Sequence, residues 1–343
     1  MTNQNIHSRP KIIFNGKTLD NVSNINYSNP GNNQVSTLSF TVDDPQFFNY
    51  RLLNKEVEFY VDEGGAEASP LFVGFARDAT PSDENVKITC YDCRTLISGT
   101  ESFPITLTDK DNYDGYTAVQ FLADVIKKNN IDISLDYLSE TTPPVPMIGT
   151  RASNESAYSI FINKLKRITD DDDPRAPLNY IVDVIDKSIV VTKKRIKNNN
   201  GIRFSRNDGI ISMSVNRRAP ITKARVFGAN GSSGVFDYGS SPTGSIGISH
   251  SDETLTSNAQ CTEKAIHLVM AERNEVDEIK IKVSKGYELG LNNVIYLDVD
   301  DEDVRGEHRI SSKNISFNGN TLSYTLGLDK LGPVTSDYIL KGG

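Results

Sequence analysis

The chain has 343 residues, of which 24% are charged and 37% hydrophobic, values that favour a folded protein of two or three domains and exclude wholesale disorder. No apolar run approaches the roughly 20 residues that a transmembrane helix needs, and the N-terminus lacks the order of a signal peptide, so we expect synthesis in the cytoplasm. The net charge of −8 argues against a nucleic-acid-binding surface, and the three cysteines are too few for a disulfide framework.

Alternation of apolar and polar residues predicts β-strands across the region 1–100. Clusters of turn-forming residues separate the alternating runs. The residues predicted to face the core are Leu38, Phe40 and Val42, then Val57, Phe59 and Val61, then Val86, Ile88 and Cys90. We therefore expect an antiparallel sandwich or barrel in this region.

The next region, 101–215, contains two apolar stripes with helical spacing. The first stripe ends near Asn129, and the second follows the N-cap candidates Ser153 and Asn154. The stripes consist of Ala118, Phe121, Leu122, Val125 and Ile126, and of Tyr158, Phe161, Ile162, Leu165 and Ile168. Two amphipathic helices are therefore predicted, each packing one face on a core.

Strand patterns follow the second helix. Residues 180–185 and 188–194 predict a hairpin about Asp186 and Lys187, and short strands are expected around 202–204 and 210–215. Helices and hairpins together predict that 101–215 is a middle α+β domain.

Residues 216–335 predict a second strand-rich domain, followed by a short tail at 336–343. The Gly/Ser-rich stretch 228–252 is too long for a turn, so we expect a loop that is mobile or ordered by a partner. A helix begins at the capping box of Ser257 and Gln260. Alternating strands joined at Asn318–Gly319 predict a terminal hairpin.

Residues with metal or redox chemistry lack the spacing that such sites need. The four histidines, His7, His250, His267 and His308, are widely separated and predict no zinc site. Cys90 and Cys93 lie in a strand pattern without a second ligand pair, and Cys261 is remote, which favours packing roles.

Other candidate sites fail for similar reasons. The acidic run at 298–303 lacks the glycine of a calcium-binding EF-hand loop, and we expect it and the run Asp170–Asp173 to be solvent-exposed. Gly244–Gly247 does not match a phosphate-binding loop. We therefore predict no catalytic, cofactor-binding or metal-binding residues and a non-enzymatic protein.

Paired carboxylates of a glycoside hydrolase would meet only in space, so that alternative stays open. A carbohydrate-binding β-sandwich adhesin is a further alternative, weakened by the absence of tryptophan.

Several segments resemble, in order and spacing, the baseplate hub family of contractile-tailed phages and related injection systems, which includes the N-terminal part of tail-associated proteins of long-tailed phages. They are LFVGFARDATPSDENVKITCYDCRTLISG at 71–99 with its Asp92-to-Leu96 closing segment, YTAVQFLADVIKKNNIDI at 116–133, SAYSIFINKLKRITDDDD with the hairpin YIVDVIDKSIVV, and KVSKGYELGLNNVIYLDV through EHRISSKNISFNGNTLSYTLGLDK. Together these segments cover most of the chain.

The resemblance implies an α+β, mostly antiparallel fold, with two tube-fold-like sandwich or barrel domains flanking the helical middle domain. It implies a homotrimer in the virion's tail baseplate that matches a sixfold tail tube to a threefold spike. Its partners would be the tail tube protein, the central spike protein, other baseplate proteins and, as a further candidate, the tape measure protein. DNA would pass through the lumen without specific binding, which an acidic wall favours. A hub of a cellular injection system or of a non-contractile tail is the alternative within this class.

Overall fold

A computed structural model describes most of the chain. The described residues are 10–31, 34–45, 47, 51–61, 69–98, 113, 115–137, 156–165, 180–185, 187–193, 199–217, 221–239, 246–253, 255–272, 276–283, 289–291, 293–301, 304–318 and 321–330. The tail predicted at 336–343 lies outside them. None of the helices in these ranges is both long enough and apolar enough to cross a membrane.

Strands dominate both ends of the chain, and helices interrupt them. The first region contains β1 Pro10–Phe14, β2 Lys17–Leu19, β3 Val22–Asn29, β4 Thr37–Val42, β5 Glu56–Val61, β6 Phe72–Pro81 and β7 Val86–Asp92. The middle contains α1 Ala118–Lys128, β8 Ser134–Tyr137, α2 Ala157–Leu165, β9 Tyr180–Ile185 and β10 Ser188–Lys193. The remainder contains β11 Asn199–Ser205, β12 Ile210–Arg217, β13 Ile221–Phe227, β14 Ser233–Asp237, β15 Ile246–Ser251, α3 Asn258–Glu272, β16 Val276–Val283, β17 Val294–Asp298, β18 Gly306–Asn318 and β19 Thr321–Lys330.

One large sheet joins the two strand-rich ends of the chain. Its strands run in the order β12-β16-β19-β18-β3-β4-β7-β6-β5-β1-β2, with β17 also on β18 and β11 on β17. Every neighbouring pair along the main path is antiparallel, and β3 pairs with β18 where Tyr27 lies opposite Ile315. The predicted fold class, α+β and mostly antiparallel β, is confirmed.

The apolar side chains of this sheet form the first core, which draws on both ends of the chain. Every residue in the three predicted alternating sets is buried, from Leu38 to Cys90. The C-terminal strands add residues such as Ile281, Tyr324 and Leu326, which are 0% exposed. Because period-two alternation puts apolar residues on one face, the sequence pattern alone identifies these positions.

The middle region has a second core of its own. The two predicted helices pack against the β8-β10-β9 sheet, in which β10 pairs in parallel with β8. Helix α1 starts at a capping box of Thr117 and Gln120 and stops at Asn129, as its stripe predicts. The Ser156 hydroxyl accepts from the Ser159 N–H and so caps α2, whereas the predicted cap candidates Ser153 and Asn154, as well as Ile168, lie outside the described residues.

Strands β11 and β12 follow the middle hairpin in sequence but not in space. β11 pairs with β17, and β12 pairs with β16, so both belong to the large sheet. Their apolar side chains, including Phe204, pack in the first core. The sequence pattern assigns these strands to the region 101–215, since local patterns do not reveal long-range pairing partners. The boundaries predicted at 100, 215 and 335 stay predictions.

The prediction of a loop at 228–252 is wrong for the residues that the structure describes there. β14 pairs antiparallel with β13, β15 pairs in parallel with it, and α3 packs on this three-stranded sheet. Gly234 has a packing role, since a Cβ there would lie 2.2 Å from the Thr262 nitrogen of α3. The glycines permit close packing as well as turns.

Candidate functional site

The two cysteines of the Cys90–Cys93 motif occupy packing positions. Cys90 and Cys93 are free and buried, Cys90 in the first core and Cys93 in the second. Burial raises the pKa of both thiols, that of Cys93 to about 12. Thiols held protonated in this way are poor nucleophiles and poor metal ligands. The predicted packing role of this pair is consistent with these environments.

The acidic run near residue 300 forms ion pairs with neighbouring strands. Asp298 accepts from Arg203 of β11, and Asp301 accepts from Arg217 of β12 at 2.7 Å. Val299 and Val304 are buried at the base of the same loop. Asp298 and Asp301 are therefore tied to the large sheet, whereas Asp300 is exposed, as the sequence predicts for the run. Glu302 and Asp303 lie outside the described residues. Within the described ranges no group of three or more His, Cys, Asp or Glu side chains could hold a metal ion.

The remaining motifs are scattered or lie outside the described residues. His308 is 0% exposed in β18, with its Nε2 2.6 Å from the Val304 carbonyl oxygen. His250 lies in β15, and His267 in α3. His7, Asp170–Asp173 and the first two residues of Gly244–Gly247 are not described, so their predicted roles are not tested.

A network of buried and half-buried polar side chains lies between the two cores. We call it the polar junction, and its members are Asn29, Ser36, Asp92, Arg94, Tyr158 and Asp183. Its centre is the ion pair of Asp92 and Arg94, whose side chains are 2% and 1% exposed. Asp92 ends β7 and caps the short 3-10 helix Cys93–Leu96 by accepting from the Arg94 N–H at 2.9 Å. A strand end and a helix start thereby place the two charges side by side.

The Arg94 guanidinium donates hydrogen bonds to three separate parts of the chain. Its Nε donates to both carboxylate oxygens of Asp92 at 3.0 Å. One Nη donates to the Ser36 hydroxyl ahead of β4, and the other donates to the Val182 carbonyl oxygen in β9, each at 3.0 Å. Burial works to lower the pKa of Arg94, but the Asp92 carboxylate outweighs it and raises the pKa, so the cation is retained.

A second layer of polar groups surrounds this pair. The Asn29 amide donates to an Asp183 carboxylate oxygen at 3.3 Å, so β3 is bonded to β9. Burial raises the pKa of Asp183, and it raises the pKa of Tyr158 to about 12 although the nearby Arg94 charge opposes the rise. The carboxylate of Asp183 is thus held near a guanidinium that is already paired.

A more exposed ion pair lies beside the polar junction. The Lys187 ammonium bonds to Glu56 of β5 and lies 3.8 Å from Asp132, which follows α1. Lys187 occupies the β9–β10 turn with a φ of 61°. These contacts join the middle region to the large sheet a second time, at the solvent-facing side.

Sequence analysis missed Arg94 and Asp183 as interacting residues. The available signal was a charged pair, Asp92 and Arg94, inside the otherwise apolar and small-residue segment YDCRTLI. A charge that falls in a buried pattern is rarely left unpaired. Local sequence indicates Asp92 as the partner of Arg94, but Val182 and Asp183 become neighbours only through the fold.

Comparison with known proteins gives a consistent result. No protein-family model and no curated protein sequence matches the chain. The tail protein from Neisseria meningitidis MC58 superposes with a TM-score of 0.70 at 11% identity, over 96% of this chain and 98% of that one. The 43 kDa tail protein of prophage MuSo2 from Shewanella oneidensis gives a TM-score of 0.69 at 11% identity, over 94% and 97%. This chain has the fold of phage tail proteins.

The likeness extends to a secretion system. The E. coli c3393 protein, a component of the type VI secretion system described as structurally similar to the T4 bacteriophage tail proteins gp27 and gp5, gives a TM-score of 0.53 at 10% identity, over 94% of this chain and 77% of that one. These structures confirm the α+β, mostly antiparallel fold class that the sequence resemblance implies, and the division into two tube-fold-like domains stays a prediction.

Proposed function

We propose that the chain is a structural hub of a phage tail baseplate, which joins the tail tube to the central spike. The observation that carries this proposal is the match to two tail proteins over nearly the full length of both partners. Similarity over one shared domain would be weaker support, because one fold hosts many functions. Here each match covers the large sheet, the middle region and the three-stranded sheet of β13, β14 and β15 together.

We further propose that three copies form a ring with pseudo-sixfold character around a channel for DNA. The two strand-rich ends of the chain, joined at β3 and β18, would supply two ring-building units in each copy. A net charge of −8 disfavours adsorption of passing DNA, since like charges repel. The tail tube protein, the spike protein and other baseplate proteins are the proposed partners, with the tape measure protein as a further candidate.

The edge of the large sheet formed by β12 supports a role in assembly. Natural proteins blunt exposed edge strands with short length, charge or proline. At one edge β2 has three residues and begins with Lys17. At the other edge β12 has eight residues, lacks proline and exposes Ile211 to 59%. This second edge has the features of a strand that meets a partner.

We also propose that the chain is not an enzyme. Three of the reactive side chains that the sequence brings to attention are fully buried. Cys90, Cys93 and His308 are each 0% exposed, which places them beyond the reach of a bulky substrate. In the proposed function their role is to fill the core and not to react.

A hub of a cellular injection system is a second candidate. The observation that favours it is the match to the E. coli type VI secretion component over 94% of this chain. The two candidates share one architecture and differ in the particle that contains it. Genes for a phage tail tube, spike and capsid beside this one would favour the phage assignment, and secretion genes the other.

Reconstruction of the purified particle by electron cryomicroscopy tests the proposal. We expect three copies of the chain between the tube and the spike, with each copy contributing both strand-rich ends to one ring. Six copies related by strict sixfold symmetry, or single copies at the periphery of the baseplate, would overturn the hub assignment.

A further inference from the structure

The polar junction lies between the two apolar cores. The large sheet has the first core and the middle region has the second, against which Phe75 of β6 also packs. Between them lie a guanidinium, two carboxylates and an amide, within the network around Asp92 and Arg94. Apolar packing alone could have filled this layer at comparable stability, because a buried ion pair pays a large desolvation penalty.

The described residues of the middle region contact the large sheet through apolar packing, through hydrogen bonds and through the Lys187–Glu56 ion pair. The short helix after β7 places Cys93 and Ile97 in the second core, and the Ile97 carbonyl oxygen accepts from the Tyr158 N–H of α2 at 3.1 Å. These contacts hold the middle region by its helices. They lie close to the covalent connection, so they leave rotation about that point weakly restrained.

The contacts that restrain rotation reach the β9–β10 hairpin on the other side of the middle region. The Lys187–Glu56 ion pair is one of them, but its side chains are 32% and 34% exposed, so solvent weakens it. Arg94 donates to the Val182 carbonyl oxygen, and Asn29 donates to Asp183. Hydrogen bonds are directional, and the planar guanidinium offers donors at fixed angles, so they specify an orientation that apolar contact does not. The Asp92–Arg94 pair lies within one segment of three residues and needs no contribution from the middle region.

We propose that Arg94 is the positioning residue that sets the orientation of the middle region on the large sheet. Asp92 holds the guanidinium in place, Ser36 fixes its second edge, and the remaining donor selects the position of β9. In the proposed hub, this orientation decides where the helical region meets its partners. That consequence rests on the proposed function, whereas the positioning role does not.

A distance measurement between spin labels tests the positioning role in the free protein. Lys87 of β7 and Lys127 of α1 are exposed, so Lys87→Cys and Lys127→Cys take one label on each side of the junction. The native cysteines are buried and remain unlabelled in the folded protein. We expect one narrow distance distribution for the otherwise unaltered chain.

Two variants at the junction separate positioning from stability. Arg94→Lys keeps the charge beside Asp92 but loses the guanidinium fork, and we expect the distribution to broaden or shift. The double variant Asp92→Asn with Arg94→Met removes both charges and fills the same space, and we expect near-native resistance to unfolding together with a broadened distribution. Arg203→Lys, at the surface pair with Asp298, is the matched control and should leave the distribution narrow.

A narrow, unshifted distribution in the folded double variant would overturn the proposal, because orientation would then be set by apolar contacts. Loss of folding in the double variant would overturn it as well, since the pair would then be required for stability alone. Neither result bears on the hub assignment, which the particle reconstruction tests separately.

Discussion

The Arg94 guanidinium lies 3.0 Å from the carbonyl oxygen of Val182, a residue 88 positions further along the chain. This bond crosses from the end of β7 to the middle of β9, between the large sheet and the middle region. Its donor is held by Asp92, so one buried ion pair supports an interaction between regions. The consequences for stability can be measured apart from those for orientation.

Truncation of Arg94 should be among the most destabilising single changes. Arg94→Ala leaves the Asp92 carboxylate buried without its cation, and breaking a buried pair in this way costs about 3–5 kcal/mol of unfolding free energy. Denaturant titration of the variant measures the loss. Removing both partners in Asp92→Ala with Arg94→Ala should cost less than the sum of the single changes. A loss below about 1 kcal/mol for Arg94→Ala would contradict this account of the junction.

The sequence predicts those parts of the fold that depend on local patterns. Alternation identifies buried residues such as Phe40 and Phe59, and helical spacing identifies Phe121 and Phe161. The predicted capping box at the start of α3 is confirmed, because the Ser257 hydroxyl accepts from the Gln260 N–H at 3.3 Å and the Gln260 side chain accepts from the Ser257 N–H. Each of these signals comes from residues close together in sequence, where the spacing of apolar residues determines which face of a strand or helix they share.

Long-range pairing was beyond the reach of the same signals. Nothing local to Tyr27 indicates that it lies opposite Ile315, and nothing local to β12 indicates β16 as its neighbour. The polar junction was missed for the same reason, since Asn29 and Asp183 are 154 positions apart. The glycine-rich stretch misled the prediction because glycine serves both mobile loops and close packing.

Substitution of Gly234 tests the close approach of β14 to α3. A Cβ at this position would lie 2.2 Å from the Thr262 nitrogen, a backbone atom that cannot move alone. Gly234→Ala should therefore shift the helix and cost roughly 1–3 kcal/mol of unfolding free energy. Gly290→Ala is the control, because nothing lies within 4 Å of a Cβ there. Equal stability of the two variants would show that α3 is not packed as described.

Thiol reactivity tests the burial of the cysteines. Cys90, Cys93 and Cys261 are all free and buried, so a colorimetric thiol reagent should modify none of them in the folded protein at neutral pH. The raised pKa of Cys93, about 12, leaves roughly one molecule in a thousand as thiolate at pH 9. Reaction should therefore stay slow at pH 9 and become rapid only in denaturant. Fast stoichiometric reaction in buffer would contradict the buried placement.

The Asp183 carboxylate should make stability depend on pH. Burial raises its pKa in the folded protein, so the folded state binds this proton more tightly than the unfolded chain does. Its contribution favours folding at pH values below the ordinary aspartate range and is lost as the pH rises through the raised pKa. Asp183→Asn should remove this dependence and raise the unfolding free energy at neutral pH relative to the unsubstituted chain.

Denaturant titrations at several pH values measure this effect. Asp300→Asn, at an exposed carboxylate, is the matched control and should retain the pH profile of the unsubstituted chain. If Asp183→Asn lowers stability at neutral pH as much as at acidic pH, the bond from Asn29 outweighs the burial of the charge.

The exposed edge of the large sheet should matter to assembly more than to folding. Ile211 in β12 is 59% exposed, so Ile211→Lys should change the unfolding free energy of the isolated chain by no more than about 0.5 kcal/mol. A charge on an edge strand opposes pairing with another chain, and incorporation of the variant into particles should fall.

Leu53→Lys, at a residue 53% exposed away from this edge, is the control for loss of an exposed apolar side chain. Particle incorporation is measured by the ratio of hub to tube protein in purified tails. An equal decrease for both variants would assign the effect to general surface chemistry, and an unchanged ratio for Ile211→Lys would exclude β12 from the interface.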